Sequence, residues 1–155
     1  YNMTDVQAAI GTHQLRKLAG FHARRREVVA RYNEVFGANP GLQVPVERDG
    51  CRSAWHLYVL RLRPDVLGVS RNAFIDGLKA LNIGTSVHYR PLHMMSFYAN
   101  KYGYRPEDFP VAFDAYQRMV SLPLHPRLSD QDVQDVIDAV HEVTVARPAV
   151  SGSVA

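Results

Sequence analysis

Cysteine, lysine and long apolar runs are scarce in this 155-residue sequence. The single cysteine, Cys51, cannot close an internal disulfide, which excludes a disulfide scaffold and suits a reducing compartment. No apolar run approaches the ~20 residues that span a bilayer, and the polar opening does not read as a signal peptide. A cytoplasmic protein without membrane contact is the expectation. Net charge is also low, at +3, too little to mark a nucleic-acid binder. Glycine-rich phosphate loops of either standard spacing, zinc-type cysteine pairs and the HExxH pattern are missing, so no metal site is expected from His56, His88, His93 and His125. The chain starts at Tyr1 with no initiator methionine, which reads as a piece of something larger.

What is present is ordinary for a folded domain. Apolar residues make up 46% and charged residues 21%, enough for one real core at this length. Only three of the eighteen basic residues, Lys17, Lys79 and Lys101, are lysine. The arginine excess suits fixed bidentate contacts with carboxylate or phosphate, or simply reflects codon bias.

Thr4 followed by Gln7 predicts a capping box, with Asp5 favourably placed in the first turn. Val6, Ile10, Leu18 and Phe21, then Val28, Val29, Tyr32 and Phe36, recur at near-helical spacing. One long helix is expected, or two with a bend near Gly20. Asn39-Pro40-Gly41 ends it as a turn. Trp55 to Leu62 reads as a strand, Ser70 as the cap of a short helix, and Ile83 to Tyr89 as a second strand beside the first. A helix over Val111 to Val120 follows. Ser129 and Asp132 open the last helix, with Val133, Val136, Ile137, Val140 and Val143 on one face. The pattern is α+β: a long N-terminal helix and a small sheet with helices packed on it. One domain is expected over 1–147, with a mobile tail over 148–155.

The densest polar cluster is Thr85-Ser86-Val87-His88-Tyr89-Arg90-Pro91-Leu92-His93. A strand end that enters a proline-stiffened loop is well placed for ligand contact. Arg90 suits a phosphate or carboxylate, with His88, Tyr89 and His93 as donors and acceptors around it, although such loops are often merely polar. Arg24-Arg25-Arg26 spread around the helix rather than forming one stripe, so a solvated face is the plainer reading. Nothing marks Cys51 as a nucleophile.

Three stretches together resemble the nucleotide-sugar aminotransferases of the DegT/DnrJ/StrS type, which use pyridoxal phosphate. They are Tyr1-Asn2-Met3-Thr4-Asp5-Val6-Gln7-Ala8-Ala9-Ile10-Gly11 with Gln14-Leu15, then Asn82 to His93, then Ser121-Leu122-Pro123-Leu124-His125-Pro126 with Ser129 to Val133. The likeness runs from Tyr1 to about Val143. It implies the small C-terminal domain of a two-domain enzyme, with the large cofactor-binding domain and its Schiff-base lysine outside this chain. Lys17, Lys79 and Lys101 match no such context, so no catalytic residue is expected here and the chain alone should be inert.

By the same resemblance, Asn2 reaches the cofactor phosphate of a neighbouring subunit, as suits an amide at a helix N-terminus. A second subtype of the family carries Tyr-Asn-Tyr-Arg-Met where this chain runs Tyr1-Asn2-Met3. His88, Tyr89, Arg90 and His93 match the loop near the sugar nucleotide. The implied partners are a nucleotide-linked keto sugar, an amino donor such as glutamate, and a second subunit in a homodimer. The implied role is amino-sugar biosynthesis for cell-envelope polysaccharide. The alternative is a non-catalytic regulatory or binding relative that has lost the lysine.

Overall fold

The computed structural model describes residues 2–145. The chain opens with α1 (Asp5–Phe36), a single helix of 32 residues with no break at Gly20. Its start is the expected one. Thr4 Oγ1 accepts the N–H of Gln7 at 3.4 Å, and Gln7 Oε1 accepts the N–H of Thr4 at 3.1 Å. Two of the N–H groups left free by any helix start are thereby satisfied.

A turn through Asn39 leads to β1 (Leu42–Gln43), and a long loop leads to β2 (Tyr58–Leu62). The strand expected from Trp55 starts three residues late. Trp55 has φ 47°, a left-handed conformation incompatible with a strand. Two helices follow, α2 (Pro64–Leu67) and α3 (Arg71–Ala80), the second capped by Ser70 as expected. After the segment through His88 come α4 (Ser96–Tyr102), α5 (Pro110–Arg118), β3 (Met119–Leu122) and α6 (Asp130–Val145). The helix expected to reach Val120 thus stops at Arg118. Short 3-10 turns at Leu92–Met94 and Pro106–Asp108 flank α4. The expected mobile tail lies outside the described residues.

The sheet is antiparallel in the order β1-β2-β3, with Leu60 opposite Val120 and Leu42 opposite Leu62. Along β2, Tyr58, Leu60 and Leu62 are buried and alternate with half-buried Val59 and Arg61. That period of two sends one face into the core. The core joins this face to Val28, Val29, Tyr32 and Phe36 of α1, Phe74 and Leu78 of α3, and Val133, Val136, Ile137 and Val140 of α6. Each such side chain contributes about 1.5–3 kcal/mol by leaving water. Tyr32 stacks on Phe36 at 5.3 Å, and Tyr32 and Tyr58 meet edge-on at 5.0 Å. Their hydroxyls donate to Pro123 O at 3.1 Å and Asn33 Oδ1 at 2.8 Å, so neither is buried unsatisfied. Burial pushes both phenols above their usual range. At Gly77 the helices α3 and α6 approach so closely that an added Cβ would sit 2.9 Å from Val143 Cγ2.

The second expected strand, Ile83 to Tyr89, does not form. This segment lies beside β3 instead of β2 and pairs at one residue: Ser86 N–H donates to Ser121 O at 3.2 Å and Ser121 N–H to Ser86 O at 2.7 Å. The same register would next pair Gly84 with Pro123 and His88 with Met119. Pro123 has no N–H, and the Met119 N–H is already given to Ala115 O at the end of α5. Both extensions of the ladder are blocked, so the apolar alternation leads to a one-residue bridge.

Candidate functional site

That bridge places the polar stretch at the free edge of the sheet. Ser86 and His88 are two residues apart and share a face, so the His88 ring reaches diagonally back to Ser121. His88 Nδ1 lies 2.9 Å from Ser121 Oγ, and the Ser121 side chain is buried. Tyr89 stands edge-on to His88 at 4.8 Å and is 70% exposed. A recess of about 130 Å³ is lined by His88, Ser86, Ser121, His56 and Gly84, among others. His88, Tyr89 and Arg90 therefore leave the sheet together. Arg90 is exposed and, among the described residues, has neither a hydrogen bond nor an ion pair. A guanidinium in that state is available to an anion.

His93 is placed differently. Its ring is buried and stacked on Phe109 at 4.6 Å, and its Nε2 has no hydrogen-bond partner. It packs the turn after Pro91 against the one before α5, and does not face outward with Tyr89 and Arg90. Asn2 is also apart. It is exposed at the free start of α1, roughly 30 Å along the helix from Arg24, the first α1 side chain to hydrogen-bond another element.

Three of the α1 arginines, Arg24, Arg26 and Arg31, are not a solvated face. Arg24 donates to Leu128 O at 2.8 Å and to Asp130 at 2.8 Å, and Arg31 donates to Gln134 at 2.9 Å. Arg26 bonds Ser53 O at 3.1 Å and pairs with Glu47. The Asp130 and Glu27 carboxylates raise the pKa of Arg24. These residues fasten α1 to α6 and to the loop before β2, which removes them as a nucleic-acid surface. Ser129 donates its hydroxyl and N–H to Asp132, holding that carboxyl below its usual range.

Pyridoxal phosphate, implied by the sequence resemblance, needs a lysine for its aldehyde and a cradle for its phosphate. Lys17 stands on the exposed part of α1, and Lys79 in the last turn of α3. Lys101 is spent over the rings of Phe97 and Tyr102. None lies in the cluster around His88. At the start of α1, Thr4 and Gln7 already satisfy part of the free N–H set, and Asp5 adds negative charge there. The described residues do not fit the cofactor by themselves. Among them no group of three or more His, Cys, Asp or Glu side chains could hold a metal ion, and no helix is long and apolar enough to cross a membrane.

Ser121 is the site residue that composition and spacing did not single out. Its motif, Ser121-Leu122-Pro123-Leu124, was visible, but only the sheet pairing shows that its hydroxyl meets His88.

This fold aligns with part of several solved aminotransferases. The aminotransferase TlmJ of Streptoalloteichus hindustanus aligns with TM-score 0.81 and 34% identity, over 93% of this chain and 37% of that one. Spr1654 of Streptococcus pneumoniae, described provisionally as a sugar aminotransferase and solved in its PLP form, aligns with TM-score 0.84 and 30% identity, over 96% and 37%. In sequence, the spore coat polysaccharide biosynthesis protein SpsC of Bacillus subtilis is 48% identical over 143 residues, 92% of this chain and 37% of SpsC. The DegT/DnrJ/EryC1/StrS aminotransferase family model matches residues 1–141, and the chain belongs to that family. It spans a little over a third of the length of these relatives.

Proposed function

We propose that residues 1–147 are the small C-terminal domain of a pyridoxal-phosphate-dependent aminotransferase that acts on a nucleotide-linked keto sugar. The supporting observation is the exposed Arg90 guanidinium, without a partner among the described residues and carried with His88 and Tyr89 on a loop fixed to the sheet edge. A guanidinium free to bind, next in sequence to an imidazole and a phenol, suits the diphosphate of a sugar nucleotide. His93 anchors the turn behind them through Phe109. Asn2, just before the start of α1, serves the cofactor phosphate of a second subunit in a cytoplasmic homodimer. The cofactor supplies the electron sink for amino-group transfer and is bound mainly by the large domain, so this chain alone is inert. The kinship with SpsC, a spore coat polysaccharide biosynthesis protein, favours a role in amino-sugar supply for surface polysaccharide.

The test is turnover by the full-length polypeptide that carries this chain. With pyridoxal phosphate, glutamate and a panel of uridine- and thymidine-diphosphate keto sugars, mass spectrometry should detect an amino sugar nucleotide. The 155-residue chain should give none. Tight sugar-nucleotide binding by the full-length protein without any turnover would instead identify a non-catalytic relative.

A further inference from the structure

We infer that Ser121 is a positioning residue for His88, holding the imidazole in the tautomer protonated on Nε2 so that it presents an N–H donor to the substrate anion. The substrate half of this inference rests on the function proposed above; the tautomer half does not.

Ser121 is 5% exposed, and its backbone N–H and C=O are both engaged by Ser86. Its hydroxyl hydrogen still needs an acceptor. Among the described residues the one partner within hydrogen-bond distance of Oγ is His88 Nδ1, at 2.9 Å. A hydroxyl can rotate to donate, so Ser121 O–H to Nδ1 satisfies the pair. The opposite arrangement, Nδ1–H to Oγ, leaves the hydroxyl hydrogen buried without an acceptor, which is the unfavourable case. A neutral imidazole that accepts at Nδ1 carries its proton on Nε2.

The geometry around the ring supports a fixed orientation. The Ser86–Ser121 bridge sets the distance between the two segments, and the Tyr89 ring closes on His88 from the side at 4.8 Å. Nε2 lies on the far side of the ring from Ser121 and has no partner among the described residues. The recess that His88 helps to line also includes Ser86, Ser121 and His56. An N–H on Nε2, in a side chain two residues before the exposed Arg90, is a donor that an oxygen anion accepts. It cannot serve as a base while Ser121 occupies Nδ1. His88 is thus assigned to binding, and Ser121 to selecting its donor state.

The experiment is a long-range proton–nitrogen correlation spectrum of the full-length polypeptide labelled with ¹⁵N-histidine, at a pH where His88 is neutral, with the His88 signals assigned from H88Q. The wild type should show Nδ1 as an unprotonated acceptor and Nε2 protonated. S121A should lose that bias and S121T should restore it. In kinetics, S121A should raise KM for the nucleotide-linked keto sugar roughly fivefold, the equivalent of one neutral hydrogen bond, leave kcat within about twofold, and be rescued by S121T. A wild-type spectrum with the proton on Nδ1 overturns the inference, and decides it even if S121A does not fold. A tautomer unchanged in S121A also overturns it. The predicted tautomer with an unaltered S121A KM removes the substrate-facing half. Absence of any turnover with sugar nucleotides, alongside the predicted spectra, counts against the proposed function and leaves the Ser121–His88 pairing intact.

Discussion

The two halves of α1 share one unbroken backbone but are stabilised differently. From Val28 to Phe36 the helix buries Val28, Val29, Tyr32 and Phe36, and Arg24 and Arg31 tie it to the start of α6. From Asp5 to about Leu18 its apolar residues face outward: Val6 is 70% exposed, Ile10 58% and Leu15 70%. The first half therefore depends on its capping box and on propagation from the packed half, because an isolated helix of that length is marginal in water. Hydrophobic periodicity alone does not distinguish the two, since both carry apolar residues at helical spacing. What distinguishes them is a partner.

The largest break in this contrast should come from Phe36→Ala. Phe36 is 2% exposed and packs on Tyr32, so the loss should be about 3–5 kcal/mol, read as a lower urea midpoint of this chain. Arg24→Ala should follow. It removes donors to Leu128 O and Asp130 at the seam of α1 and α6, and should cost roughly 1 kcal/mol, since the guanidinium is only partly shielded.

Thr4→Ala should sharpen the comparison. A cap is worth about 1 kcal/mol to the first turn, but that turn is not packed. Amide exchange at Gln7 should accelerate while the urea midpoint stays put. A midpoint that falls with it would mean the two halves unfold as one unit.

Acid should act on the α6 side of the same seam. The carboxyl of Asp132 is held below its usual range by the Ser129 hydroxyl and N–H. The unfolded chain binds that proton more readily, so the contribution is present above the ordinary carboxylate pKa and lost as pH falls through the native one. Ser129→Ala should flatten the acid limb of the stability curve. The smallest effect should be Leu15→Gln, within about 0.5 kcal/mol for this chain, because Leu15 is 70% exposed.

The elements with local signals were legible in the sequence. The caps at Thr4, Ser70 and Ser129 start helices where their hydroxyls meet free N–H groups, and the α6 stripe is buried as its spacing requires. The sheet was only half legible. Met119 and Val120 read as the end of a helix until the pairing of Met119–Leu122 with β2 is known. Ile83 to Tyr89 has strand-like alternation, yet Pro123 and the committed Met119 N–H deny it a ladder. Non-local pairing decided both, and no window of residues contains it. The site followed the same rule. His88, Tyr89 and Arg90 stood out as a polar cluster, but the buried position of His93 and the role of Ser121 depend on contacts with Phe109 and β3 from distant parts of the chain.

The proposed function assigns the substrate to the sheet-edge loop and the cofactor phosphate to the free end of α1, and one paired measurement tests that assignment. In the full-length polypeptide, Arg90→Ala should lower kcat/KM for the nucleotide-linked keto sugar roughly ten- to hundredfold, the loss of one charge-assisted hydrogen bond, and leave the pyridoxal-phosphate absorbance after dialysis unchanged. Asn2→Ala should do the reverse, releasing cofactor on dialysis with little change at saturating sugar. Normal kinetics for Arg90→Ala, or equal loss of cofactor from both variants, would contradict the account.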